Sequence, residues 1–368
     1  MNAIKYIFLS MGLLAAISAQ TGSISNVIAA QRTDGSQIVD IYYDLDGGLP
    51  TYIINTKVSF DDGASFTNIS LIEGDFGLGV APGTEKHITW NFGVEYPHLY
   101  NEDTRIKITG YSGNSSSIEF VNVTAGPYDT DQNGEQLTVD YDYQIMKYEV
   151  TNLQYSLFLQ GALAAGYITV SADTVYGYYQ GDAYFSSGDY PYIDLSAEAC
   201  KISLQNGIFL VEDGYDEFPV RTVSYMGAST FAAEYGWELP NLPEWVRAGR
   251  GNTGWSYSFG ETLAPHWANY NESGDPYEPE PTPVGFYNGT GHQGYWVGDA
   301  HSPFGAYDMT GNIEEWLDHV TSGEWNGEAA GGSYFSYSWD GDLLMGASHS
   351  IGKTALRAQV GFRCVSQN

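Results

Sequence analysis

The sequence predicts two domains, an immunoglobulin-like β-sandwich followed by an α+β domain with much irregular structure. Three observations predict this. Apolar and polar residues alternate with period two from Ser23 to about Tyr111. Capped, helix-like segments separated by aromatic-rich irregular stretches follow from about Phe120. The length, 368 residues, exceeds that of one average domain.

In order along the chain, residues 1–20 read as a secretory signal. Lys5 is its positive element, Ile7 to Ile17 its apolar run and Ser18-Ala-Gln-Thr21 its small-residue cleavage region. That run is too short to span a bilayer, and no later stretch approaches the ~20 apolar residues a span needs. The expectation is an exported protein: periplasmic, cell-surface or extracellular. Residues 21–111 form the predicted sandwich. Val39, Ile41, Tyr43 and Leu45 alternate with Asp40, Tyr42 and Asp44. Ile54, Thr56, Val58 and Phe60 alternate with Ile53, Asn55, Lys57 and Ser59. Asp46-Gly-Gly, Asp61-Asp-Gly and Ala81-Pro-Gly supply turns between such runs. No catalytic cluster falls in this region, so its expected role is to space or attach the second domain. Residues 112–119 lie in a glycine- and serine-rich linker.

Residues 120–368 make up the second domain. Asp129-Thr-Asp-Gln-Asn-Gly134 with Asp140 matches part of a calcium-loop pattern, although an acidic turn explains it as well. Thr151-Asn-Leu-Gln154 is a capping box opening a helix whose expected core stripe is Leu153, Leu157, Phe158 and Ala162. Val223 to Tyr235 reads as a second helix. Asn241-Leu-Pro-Glu244 starts a third, which Gly249 is expected to end. Tyr176 to Tyr192 is dense in tyrosine, which fits either a sugar-stacking surface or aromatic packing under loops.

Composition narrows the function. Acids outnumber bases 45 to 14, for a formal charge of −31. Such a surface repels phosphate backbones, so nucleic acid is excluded as a partner and cations are favoured. Calcium suits a carboxylate-rich chain because it prefers hard oxygen ligands. Cys200 and Cys364 are the two cysteines, either one long-range disulfide or two thiols. His266, His292, His301, His319 and His349 show no metal-ligand spacing, and Asp318 with Glu324 is a weak carboxylate pair.

Six segments carry a resemblance. Glu149-Val-Thr-Asn-Leu-Gln-Tyr155, Pro219-Val-Arg-Thr-Val-Ser-Tyr225, Leu239-Pro-Asn-Leu-Pro-Glu-Trp245, Tyr307-Asp-Met-Thr-Gly-Asn-Ile-Glu-Glu-Trp316, Gly331-Gly-Ser-Tyr334 and Gly361-Phe-Arg363 occur in this order. Together they resemble the formylglycine-generating enzymes, also called sulfatase-modifying factors, from about Phe120 to the C-terminus. The resemblance implies a C-type-lectin-like α+β fold stabilised by calcium. It implies one calcium site at Asp308, Gly311, Ile313 and Glu315, and another at Asn269, Tyr270, Asp275 and Tyr277. The enzymes of this family oxidise a client sulfatase cysteine with molecular oxygen and copper(I) held by two of their own cysteines. The matching positions here are Ser336 and Gly341; a hydroxyl is too hard for copper(I) and glycine has no side chain. Copper is therefore not expected. Ser333, which lines the family's groove, is kept, and Glu314 stands where the family has a tryptophan. The family pairs the cysteine matching Cys364 with a position that is Ala232 here.

The expected function is thus a calcium-stabilised, non-catalytic scaffold binding a protein or glycan. The rival expectations are a sulfatase-modifying oxidase and a structural or adhesion surface module.

Overall fold

The computed structural model describes residues 22–48, 52–63, 66–69, 71–97, 99, 101, 103–112, 118–129, 136–205, 207–292, 294–318, 325–339 and 341–367. The signal reading, most of the linker, the centre of the Asp129–Asp140 loop, His319 and Glu324 lie outside the described residues. The chain divides into two compact units, with the change between Ile118 and Glu119. The segment Leu204–Asp213 belongs to the first unit, an exchange that no sequence pattern marks.

The first unit contains two antiparallel sheets. One orders its strands Ser23–Gln31, Val39–Asp46, Gly83–Trp90 and Ile72–Gly74. In the other, Tyr52–Ser59 is central and pairs with Thr67–Asn68, Gly77–Val80 and Arg105–Ser112. One apolar core joins the two: Ile41, Tyr43 and Leu45 from the first meet Tyr52, Ile54 and Val58 from the second. Period-two alternation therefore gives the inward face of Val39–Asp46 correctly. It does less well on Tyr52–Ser59, where Lys57 and Ser59 are also buried. Lys57 survives burial because Asp213, more than 150 residues on, pairs with it at 3.0 Å.

The second unit is mostly β with three helices of nine or more residues among its described parts. Its described strands are short and assemble as small sheets. The central one orders Ser348–Gly352, Asn326–Ala330, Glu314–Leu317 and Val360–Gly361, the last pairing parallel. A three-stranded sheet brings the C-terminal Val365–Ser366 beside Tyr143–Met146, next to Phe120–Val123. The Asn152–Ala164 helix has both bonds of its capping box, Gln154 N–H to Thr151 Oγ1 and Thr151 N–H to Gln154 Oε1. Its buried stripe is Tyr155, Phe158 and Leu159, with Leu153 and Leu157 half-buried, one step round from the predicted face. Aromatic partners decide this: Tyr155 and Phe158 pack on Phe231 of the Tyr225–Glu234 helix. The Leu242–Arg250 helix is capped by Asn241 and Glu244 as predicted, but it runs through Gly249. It stops at Gly251, whose φ of +59° suits glycine. Gly249 is small for a different reason, since a side chain there would strike Met345. Both cysteines are free thiols. Cys364 is buried, and burial pushes its thiol well above the ordinary range. Cys200 Sγ lies 3.4 Å from the Ile202 carbonyl.

Candidate functional site

Three turns of the second unit interlock through main-chain hydrogen bonds. Asn312 N–H donates to Asn269 O at 2.8 Å, Gly311 N–H to Gly331 O at 2.8 Å, Tyr334 N–H to Asn312 O at 2.8 Å, and Asn271 N–H to Ser336 O at 3.0 Å. The sequence permits this tight contact. Asp308, Gly311 and Asn312 have φ of +58°, +81° and +64°, a region open to glycine and tolerated by Asp and Asn. A Cβ on Gly311 would collide with the Asn269 carbonyl. The structure thus brings together two predicted sets far apart in sequence, Asn269–Tyr270 and Gly311–Ile313.

Beneath the turns lies a buried charge cluster. Glu149 Oε2 accepts from Asn312 Nδ2 at 2.7 Å and Glu149 Oε1 from Ile313 N–H at 3.3 Å. Glu315 accepts from Arg363 Nε and Nη2, each at 2.7 Å, and from Trp245 Nε1 at 2.9 Å. Arg363 also donates to the carbonyls of Met146 and Tyr307. Asp308 Oδ2 accepts from Gly285 N–H at 2.6 Å. Three buried carboxylates therefore face one guanidinium. Burial raises the Glu149 carboxyl well above its usual range, and the Asp308 and Glu315 charges raise it further. Burial also pushes Asp308 up to about 6, against the pull of the Gly285 N–H and Arg363.

This geometry bears on the calcium expectation. Both oxygens of Glu315 are committed, and the cation facing them is Arg363. Calcium needs six to eight oxygens. Calcium bound through Glu315 would share a carboxylate that Arg363 already neutralises. Among the described residues, no three His, Cys, Asp or Glu side chains form a group able to hold a metal. At the other predicted set, Asn269 Nδ2 donates to Glu280 O. Asp275 accepts from Tyr277 N–H and Ser273 Oγ, each at 2.8 Å, which closes a compact turn.

The outer side of the cluster carries different chemistry. Ser336 is buried, and its Oγ accepts from Ser333 N–H at 3.1 Å while its own N–H donates to Ser333 O. The hydroxyl is thus used inside the turn. Its neighbours point out instead: Phe335 is 63% and Trp339 71% exposed, with Tyr337 stacked on Trp339 at 4.6 Å. Gly341 sits at a φ of +84°. Glu314 is buried, with Oε2 at 3.3 Å from His349 Nε2, and this contact raises the His349 pKa. Arg221 donates to Glu280 at 2.7 Å and to Tyr334 Oη at 3.2 Å.

The other candidates are dispersed. His266 packs on Trp296, His292 on Phe286, and His301 bonds the Ser302 carbonyl. Asp318 accepts from Tyr225 Oη at 2.8 Å. Of the tyrosine-rich stretch, Tyr179 and Tyr192 are buried whereas Tyr178 and Tyr184 are exposed, so packing and display are mixed. Sequence reasoning assigns no role to Glu149, Arg221, His349 or Trp245. The one usable signal is an acid or base set between apolar neighbours, Tyr148 and Val150 around Glu149 and Phe362 and Cys364 around Arg363.

Comparison with known proteins places the chain. The Sulfatase-modifying factor enzyme 1-like domain matches residues 111–368. The serine/threonine-protein kinase Pkn1 of Chlamydia trachomatis serovar L2 is 29% identical over 183 residues, 45% of this chain and 26% of that protein. A pkn1 kinase of Chlamydia pneumoniae is 31% identical over 117 residues, 32% of this chain and 16% of that protein. The chain thus spans about a quarter or less of the length of these curated relatives. Among solved structures it is similar to CarF, at 22% identity and a TM-score of 0.45, covering 67% of this chain and 97% of CarF. It is also similar to PvdO from Pseudomonas aeruginosa, at 15% identity and a TM-score of 0.46, covering 69% of this chain and 96% of PvdO. With residues 111–368 matched, the C-terminal two-thirds of its length, this chain belongs to the sulfatase-modifying factor family and takes that family's mostly-β, C-type-lectin-like fold there.

Proposed function

We propose that this family member is an exported, non-catalytic binding module. Its N-terminal unit serves as an immunoglobulin-like spacer, and its C-terminal unit holds a protein or glycan through exposed aromatic loops. The observation that carries the reading is the Ser333–Gly341 loop. Where the family resemblance sets a copper(I) thiol pair, Ser336 turns inward and Phe335 and Trp339 turn outward. No hydroxyl–glycine pair holds copper(I), so copper is outside the proposal. Exposed large aromatics supply binding area at low entropic cost and recur at interfaces. Calcium belongs to the proposal as a structural ion at the Asn269–Tyr277 loop. Asn269 and Asp275 would give side-chain oxygens there, and Tyr270 and Tyr277 main-chain ones.

The test pairs two measurements. The purified protein is incubated with a sulfatase-derived cysteine peptide under oxygen, with and without copper(I), and the peptide is weighed by mass spectrometry. An unmodified peptide together with copper-free protein is expected. Conversion of the cysteine would overturn the reading and favour the rival one, a sulfatase-modifying oxidase, which family membership by itself supports.

A further inference from the structure

Away from the three turns, a second group of aromatic rings stands on the surface of the C-terminal unit. Trp325, 65% exposed, meets Phe185 at 5.2 Å and Tyr184 at 6.3 Å between ring centroids, at 73° to each. Phe185 in turn meets Tyr190 at 5.6 Å and 81°. Rings set this steeply make a corner rather than a flat platform. Sugars stack on flat ring faces and need nearby polar groups for their hydroxyls. The carboxylate beside these rings, Asp182, is already engaged. Asp182 Oδ1 accepts from the Tyr184 and Phe185 N–H groups, and Asp182 Oδ2 accepts from Tyr179 Oη and Lys353 Nζ. What the corner still offers is π faces and the field of a chain with a formal charge of −31.

The neighbourhood already holds one ammonium in this manner. Lys353 N–H donates to Trp325 O, and Lys353 Nζ lies 4.7 Å from the Tyr225 ring centroid. Asp182, at 2.6 Å, neutralises it, so Lys353 adds no net positive charge to repel a second cation. We propose that the Tyr184–Phe185–Trp325 corner is a binding site for a methylated ammonium group. A quaternary head needs no hydrogen-bond acceptor, only electron-rich faces and negative potential. The corner shares no residue with the Ser333–Gly341 loop and stands whether or not that loop is catalytic.

The test follows Trp fluorescence and one-dimensional NMR as choline, Nε-trimethyl-lysine amide and 3,3-dimethyl-1-butanol, the neutral isostere of choline, are added to the full chain. Saturable binding of one or both cations, at least about tenfold tighter than the neutral isostere, is expected from cation–π attraction. Which cation binds tighter separates a choline-type head group from a methylated side chain. Trp325→Ala and, independently, Tyr184→Ala should abolish the preference, and Trp339→Ala should keep it, each checked for fold by circular dichroism. Equal binding of cation and isostere, or no binding of either cation to the wild type, would overturn the proposal. So would folded Trp325→Ala and Tyr184→Ala proteins that retain the preference.

Discussion

At the centre of the turn cluster, Glu315 and Arg363 exchange two charge-assisted hydrogen bonds with neither side chain reaching water. Desolvating both ions is expensive, and their attraction together with the Trp245, Met146 and Tyr307 bonds offsets that cost. Removing one partner strands the other. Arg363→Met should therefore destabilise the protein by about 3–5 kcal/mol, read from urea unfolding. The double variant Arg363→Met with Glu315→Gln should recover much of that loss, and a double variant as weak as the single would refute the pairing argument. His349 behaves differently because it is partly exposed. Its hydrogen bond to Glu314 raises its pKa above the ordinary 6.5, with Asp342 adding to the rise and burial and Arg357 opposing it. A raised pKa means that the folded state binds the proton more tightly. The contribution is fully present below the unfolded value of about 6.5 and fades as pH rises through the folded value. Solvent screening holds it below about 1 kcal/mol. Glu314→Gln should thus cost stability at about pH 5.5 and almost nothing at about pH 9, checked by thermal melts across that range.

At the scale of elements, the family-like turns depend on backbone conformations as much as on side chains. Gly311 combines a φ of +81° with direct contact to the Asn269 carbonyl. Gly311→Ala should cost about 2 kcal/mol or more, since left-handed strain of about 1–2 kcal/mol adds to the clash. A loss under about 0.5 kcal/mol in chemical unfolding would show that the turns are not locked together. The two capping boxes offer a milder check. Asn241→Ala removes the bond to Glu244 N–H and should cost about 1 kcal/mol.

Across the whole molecule, the net negative charge is a repulsion that local contacts leave unbalanced. A formal charge of −31 sets the surface carboxylates against one another. Salt shortens the reach of that repulsion to about 10 Å at 0.1 M. The melting temperature should therefore rise between about 10 mM and 150 mM NaCl, in contrast to a protein held together by surface ion pairs. A melting temperature that falls with added salt would contradict this. Chelation adds a second measurement: loss of calcium from the Asn269–Tyr277 loop should lower the melting temperature of calcium-loaded protein, whereas an unchanged value would remove calcium from the proposal.

Local rules are legible wherever neighbours in sequence are also neighbours in space. The capping boxes at Thr151 and Asn241, the inward alternation of Ile41, Tyr43 and Leu45, and the ordered family motifs need only short-range pattern. Gly249 escapes such rules because its small size answers Met345, nearly a hundred residues away, rather than a helix end. Lys57 escapes them because Asp213 comes from a later segment that joins the first unit. The same limit governs the site. The sequence by itself determined the family and the three turns, and it sets Ser336 and Gly341 at the positions where the resemblance implies a thiol pair. Only the tertiary structure decided that those turns interlock and that Arg363 neutralises Glu315. It also decided that Phe335 and Trp339 face solvent while Ser336 does not. The physical reason is that charge compensation and exposure are set by what packs against a residue, and packing partners here come from distant parts of the chain.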